Sequence, residues 1–153
     1  MQNTFGNGEV QRMMRDIGNS VNMMYGCSGS GAYGDRVPPA LKGTFNYSTA
    51  DRSSVNSSTG QTVWSNIGSN KPVLLQGATT RKRDFWGFYY YTNSHEWVCD
   101  GYSRSENKCY TVVNYHMNWG WRGDHNGWFY YNLWNPPLGN YQYAQYITQN
   151  IHP

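Results

Sequence analysis

In the first half of the chain, apolar residues recur at helical spacing in short stretches that polar segments separate. The spacing predicts a helix over residues 8–19 that ends at Gly18, and its apolar face carries Val10, Met13, Met14 and Ile17. Two prolines introduce a second short helix over residues 38–42, and a third helix with Val63, Trp64 and Ile67 on one face ends at Gly68. The polar stretch 48–58 has too few apolar groups to pack, which predicts a surface excursion.

The second half of the chain has the pattern of strands. Pro72 precedes an apolar run at 73–75 that is typical of a central strand. Further strands are predicted, with turn residues between them, at 96–102, 109–118, 128–133 and 141–151. Helices followed by an antiparallel meander indicate an α+β domain, and 153 residues suffice for one core.

Composition and charge exclude several classes of function. Aromatic residues make up 17% of the chain and charged residues only 14%, which favours strands and tyrosine-rich surfaces. The net charge of +3 is concentrated at residues 81–83, so we expect no nucleic-acid partner. No apolar run approaches the roughly 20 residues of a membrane span, and the first residues lack a charged-then-apolar signal pattern.

The cysteines do not indicate a metal site. Cys27, Cys99 and Cys109 are an odd number, and no Cys-x-x-Cys spacing occurs. Cys99 and Cys109 flank a turn, where they form either a disulfide or two buried thiols of a hairpin. Residues 124–127 contain too few carboxylates for calcium, so we expect no metal and no cofactor.

His95 and the segment 116–121 carry the candidate chemistry. Taken alone, His95 is an exposed loop histidine, but a later strand supplies Asn118, Trp119 and Trp121. A catalytic imidazole needs one ring nitrogen aimed at a nucleophile and the other held by an acceptor, either an Asn or a backbone carbonyl. We expect Asn118 to orient the ring and Trp119 to cover it, while the alternative places both tryptophans in the core.

Such chemistry needs a nucleophile, which this sequence does not supply. Cys27 is the only cysteine before His95, yet it enters a flexible Ser-Gly-Ser-Gly loop rather than the helix N-terminus that favours a thiolate. No Gly-x-Ser-x-Gly motif offers a serine in its place. We therefore expect that Cys27 is not the nucleophile.

The ordered motifs resemble the streptopain (C10) family of cysteine peptidases. The matching segments are Asp16-Ile17-Gly18-Asn19-Ser20-Val21, Met24-Tyr25-Gly26, Ser28 to Ala32, Ala40-Leu41-Lys42, Phe45-Asn46-Tyr47, Pro72 to Gly77, His95 with Val98, Asp100 and Gly101, His116, Asn118 to Trp121, Gly123, Gly127, Phe129 and Asn135-Pro136. The resemblance implies a partial papain-like fold, mainly its antiparallel sheet lobe with short helices. It makes His95 the general base, with Asn118 and Trp119 orienting and covering it. Ser28, Ser30, Gly31, Ala32 and Trp121 would bind substrate.

Two features depart from the family pattern. Glu96 follows the histidine where a small residue is usual, although strand alternation directs it to the opposite face from His95. The segment 78–93 is long and aromatic, and we expect a loop that reshapes the cleft or acts as a lid.

The resulting hypothesis is a cysteine endopeptidase whose residues 1–153 form one unit, the histidine-bearing C-terminal part. The family's nucleophile helix and oxyanion glutamine have no counterpart here, so the chain alone is expected to be inactive and to need a separate segment or chain that carries the cysteine. Proteins or peptides would be its substrates, and its location secreted, periplasmic or at a bacterial cell surface. An apolar wall around Trp119 and Trp121 predicts self-association. The alternatives are an aromatic module that binds glycans or peptides and a degenerate pseudo-protease.

Overall fold

A computed structural model describes residues 8–153, so the first seven residues, including the expected absence of a signal pattern, lie outside it. The described residues contain three helices: α1 (Gly8–Ser20), α2 (Val37–Gly43), which follows a 3-10 turn at Gly34–Arg36, and α3 (Thr59–Gly68). The strands are β1 (Thr49–Ser54), β2 (Val73–Arg83), β3 (Tyr89–Glu106), β4 (Thr111–Asn118), β5 (Gly127–Tyr130) and β6 (Tyr143–His152).

All strand pairs belong to one antiparallel sheet of order β1-β6-β2-β3-β4-β5. The meander from β2 to β5 agrees with the prediction, and β2 is central. The last strand does not continue the meander, because β6 returns to lie between β1 and β2.

The prediction of a surface excursion at 48–58 is wrong. Residues 49–54 form the edge strand β1, which is paired to β6 from Thr49 opposite His152 to Ser54 opposite Tyr146. Only Ala50 of this strand is fully buried. An edge strand takes its stabilisation from backbone hydrogen bonds and leaves most of its side chains in water, so a polar sequence is compatible with it.

One face of the sheet carries the core. Alternate residues of β3 and β4 point to that face, and α3 covers it through Val63. The core comprises Val63, Val73, Leu75, Trp97, Cys99, Tyr115, Met117, Trp119, Trp134, Tyr141 and Ile147. Five of these core residues are aromatic, and two of them, Trp97 and Tyr141, pack against the ring of the candidate histidine.

Helix α1 has the predicted spacing but a different environment. The helix continues past Gly18 to Ser20, and Gly18 faces inward with the Tyr25 side chain against it. The apolar face is 37% to 59% exposed at Val10, Met13, Met14 and Ile17. Within residues 8–153, no helix has both the length and the apolar character needed to cross a membrane.

The aromatic segment 78–93 is not a loop. Strands β2 and β3 stay paired from Ala78 opposite Ser94 to Arg83 opposite Tyr89, so the segment forms the end of a long hairpin. Threonines and tyrosines, which favour strands, supply this pairing. Only residues 84–88 form the connecting turn.

Candidate active site

His95 lies on β3, opposite Gly77 of β2, with its ring held from one side by a backbone carbonyl. Its Nε2 atom lies 2.8 Å from the carbonyl oxygen of Trp119. A carbonyl can only accept, so Nε2 carries the proton and donates it. In the neutral ring the lone pair then lies on Nδ1, which is the arrangement of a base whose orientation is fixed.

Aromatic rings surround the imidazole. Trp121 stacks on it, with centroids 4.9 Å apart and 23° between the planes. Tyr141 and Trp97 pack at centroid distances of 5.8 and 6.0 Å. These contacts restrict the rotation of the ring and leave His95 half-buried.

The two tryptophans contact His95 in different ways. The Trp119 side chain is 0% exposed and packs on Trp97 at 4.5 Å and on Phe129 at 5.3 Å, so it belongs to the core. Trp119 reaches His95 through its carbonyl, and Trp121 is the ring that covers the histidine. The Trp119 ring therefore contributes no exposed apolar surface, whereas Trp121 is half-buried, and self-association stays a prediction.

Asn118 shapes the turn after β4. Its Oδ1 accepts a hydrogen bond from the Gly120 backbone N–H at 3.2 Å, and Asn126 Oδ1 accepts one from the Trp119 N–H at 3.0 Å. Gly120 has a φ of 77°, the left-handed region that favours glycine, and a Cβ there would meet nothing within 4 Å. The role of Gly120 is therefore to allow the turn. These contacts set the direction of the Trp119 carbonyl.

Gly77 and Tyr141 belong to the site, although the sequence analysis did not select them as site residues. A Cβ at Gly77 would lie 2.5 Å from the Tyr141 carbonyl oxygen and 2.8 Å from its Cβ. The missing side chain lets Tyr141 approach the strand pair and pack on His95. A glycine inside an apolar strand often marks a close approach of another backbone, so the position of Gly77 in the strand was the sequence feature that could have identified this part of the site.

Glu96 lies on the opposite face from His95, as alternation predicted. It lines a cavity of about 480 Å³ between the sheet, α1 and α2, together with Met13, Ile17, Ser20, Val21, Val37, Ala40, Leu41, Phe45, Tyr47 and Leu74. Burial raises the pKa of Glu96 to about 7, and the positive charge of Arg52 opposes that rise only in part. Within residues 8–153 its Oε1 is buried without a hydrogen-bond partner. The burial of the Glu96 carboxyl group therefore lowers the stability of the folded state.

A second imidazole, that of His116, is paired with a carboxylate. His116 Nδ1 lies 2.6 Å from Asp100 Oδ1, and the His116 ring meets Trp128 edge to face at 5.3 Å. Since both partners are partly in water, the pair adds little to stability.

The three cysteines are free, and their environments differ. Cys99 is buried, and desolvation raises its pKa to about 12, the reverse of what a nucleophile needs. Cys109 is exposed in the β3–β4 turn, so neither the disulfide nor a pair of buried thiols forms. Cys27 is exposed in the Gly/Ser loop.

The Gly/Ser loop is closed by its own backbone. Met24 and Gly31 exchange two hydrogen bonds of 2.8 and 3.0 Å, which bring the ends of the loop together. Ser28, Ser30 and Gly31 are exposed and Ala32 is half-buried. Their assignment to substrate binding stays a prediction.

The chain is similar to known cysteine proteases. A sequence model described as the Peptidase C10 family matches residues 3–129. Thiol protease/hemagglutinin PrtT of Porphyromonas gingivalis is 32% identical, over 94% of this chain and 16% of that protein. Streptopain of Streptococcus pyogenes is 30% identical, over 83% of this chain and 29% of that protein. The chain thus spans less than a third of either relative.

A solved structure shares the fold. The active wild-type interpain A cysteine protease of Prevotella intermedia superposes with a TM-score of 0.72 at 23% identity, covering 100% of this chain and 62% of that one. The likeness confirms the predicted α+β, papain-like arrangement with a dominant antiparallel sheet.

Proposed function

Because the chain belongs to the peptidase C10 family, we propose that it is the histidine-bearing part of a cysteine endopeptidase, with residues 1–153 acting as one unit. The observation that carries the proposal is the His95 imidazole, held through Nε2 by the Trp119 carbonyl and covered by Trp121. The joining of all six strands in one sheet supports a single unit.

In the proposed mechanism, Nδ1 of His95 takes the proton of a cysteine thiol. The thiolate then attacks the peptide carbonyl carbon, and the resulting imidazolium returns its proton to the leaving amine as the C–N bond breaks. Water, deprotonated by the same nitrogen, hydrolyses the thioester and releases the thiol. The Trp119 carbonyl stabilises the imidazolium that forms, and the surrounding rings strengthen the charge interaction by excluding water.

The nucleophile is not one of the three cysteines of this sequence. Cys99 is buried with a raised pKa, and Cys27 and Cys109 lie in exposed segments without a helix N-terminus beside them. We therefore propose that the thiol comes from polypeptide beyond this sequence, on the same or a separate chain, and that the 153 residues alone do not hydrolyse peptides.

Two assays test the proposal. The 153-residue chain should show no turnover of a casein or peptide substrate, and hydrolysis that Cys27→Ser abolishes would contradict this. In a protein that also carries the thiol, His95→Ala should lower kcat/KM by at least about 1,000-fold, as loss of a catalytic base does. His152→Ala, which changes an exposed histidine at the end of β6, is the matched control and should leave kcat/KM unchanged.

We further propose that the protein acts on protein substrates outside the bacterial cytoplasm. Support comes from its similarity to proteases of Porphyromonas gingivalis and Streptococcus pyogenes. An antibody against the chain should detect it in the culture supernatant or at the cell surface of the source organism. Detection only in the cytoplasmic fraction would contradict this location.

A further inference from the structure

The end of the β2–β3 hairpin presents large aromatic side chains to solvent. Phe85, Trp86 and Phe88 are 94%, 80% and 72% exposed, and together they form the aromatic tip. Directly behind them in sequence, Arg81, Lys82 and Arg83 form the basic collar. We infer that this hairpin end inserts its aromatic tip into anionic lipid bilayers, anchored by the basic collar.

The turn holds the tip in place. The Asp84 N–H donates to the Phe88 carbonyl at 2.9 Å, and the Gly87 N–H donates to the Asp84 carbonyl at 3.1 Å. The Asp84 side chain accepts from the Phe88 N–H at 2.8 Å, and Arg83 Nε donates to the Gly87 carbonyl at 3.0 Å. The rings are therefore held outward on an ordered turn, where each exposes apolar area that water solvates poorly.

The basic collar lies at the depth where lipid phosphates would meet it. With a strand rise of about 3.3 Å per residue, residues 81–83 lie within roughly 15 Å of the tip. Arg81 packs over the rings of Tyr89 and Tyr143, and Arg83 over that of Tyr89. Asp84 offsets one charge, which leaves this hairpin end with a net charge of +2.

The chemistry fits a bilayer better than a peptide or a glycan. The tip is a convex turn, and behind it Arg83, Lys82 and Arg81 lie opposite Tyr89, Tyr90 and Tyr91 across the hairpin, so the cations and the tyrosines share one level. Membrane-anchored segments have the same order, with apolar rings in the acyl boundary and with cations and amphipathic tyrosines together at the interface. The inference uses no residue of the candidate active site and stands apart from the proposed peptidase activity.

Vesicle co-sedimentation of the 153-residue chain tests the inference. Binding is expected to vesicles of phosphatidylcholine with phosphatidylglycerol, and much weaker binding to phosphatidylcholine alone. Arg81→Gln/Lys82→Gln should weaken binding about 25-fold, since each cation near an anionic surface contributes about fivefold. Phe85→Ser/Trp86→Ser should weaken it at least about tenfold by removing the buried apolar area.

A matched control changes the other exposed hairpin turn. Lys108→Gln/Tyr110→Ser removes one cation and one ring, 62% exposed at Tyr110, from the β3–β4 turn and should leave vesicle binding unchanged. Circular dichroism of each variant verifies that the fold persists. Absence of binding to anionic vesicles, or equal loss in the control and tip variants, would overturn the inference.

Discussion

Glu96 makes the stability of the protein depend on pH in an unusual direction. Its carboxyl group lies against the apolar cavity below α1 and α2, where burial raises the pKa from 4.5 to about 7. An ionised carboxylate there has lost water without gaining a full set of hydrogen bonds. Replacing it by glutamine keeps the shape and removes the charge.

The sign and size of the effect follow from linkage between proton binding and folding. Between pH 4.5 and about 7 the folded state binds more protons at Glu96 than the unfolded state, so stability falls as pH rises through this window. The pKa difference corresponds to about 3 kcal/mol once the group is ionised in both states. Glu96→Gln should therefore unfold like the wild type near pH 4.5 and be about 3 kcal/mol more stable at pH 8.

Urea unfolding followed by circular dichroism measures this difference at each pH. The matched control is Glu106→Gln at the far end of the same strand, where the carboxylate is exposed beside Arg104. It should change stability by less than about 1 kcal/mol at either pH. If Glu96→Gln gives the same difference from wild type at pH 4.5 and pH 8, or is less stable at pH 8, the reasoning from burial is refuted.

Two further predictions concern packing. Gly77→Ala should lower the free energy of unfolding by about 1–3 kcal/mol in urea, because the added Cβ meets the Tyr141 backbone. Gly43→Ala is the control, since a Cβ there meets open space, and it should cost less than about 1 kcal/mol. Equal effects of the two substitutions would contradict the close approach of Tyr141 to Gly77. A maleimide should label Cys27 and Cys109 rapidly in the folded protein and Cys99 only after unfolding, and rapid labelling of Cys99 in the native state would contradict its burial.

The sequence predicted those elements whose signal is local. The spacing of α1, the prolines in the first turn of α2 and the alternation in β3 and β4 each act over a few residues, and each gave the right element. Strand β1 pairs with β6, which lies about 100 residues later in the chain, and the polar side chains of β1 do not indicate this pairing. Helix α1 is a second example of a non-local feature. The spacing of its apolar residues predicts an apolar face, but it does not predict whether another element covers that face.

The sequence predicted which segments form the candidate site, but it did not predict which atom holds the imidazole. His95 and residues 118–121 meet because β3 and β4 are consecutive antiparallel strands. Whether the Asn118 side chain or the Trp119 carbonyl would hold the imidazole depends on the turn set by Gly120 and Asn126. That choice is made by φ angles and backbone hydrogen bonds, which the residue pattern does not specify.

The proposed role of His95 as a base held through Nε2 depends on the tautomer of its ring, which can be measured. Nitrogen-15 NMR of the folded chain at alkaline pH, where imidazoles are neutral, distinguishes protonated from unprotonated ring nitrogens. The resonances are assigned with His95→Gln. We expect a proton on Nε2, donated to the Trp119 carbonyl, and an unprotonated Nδ1 available to a thiol. A proton on Nδ1, or rapid averaging between the two tautomers, would contradict it.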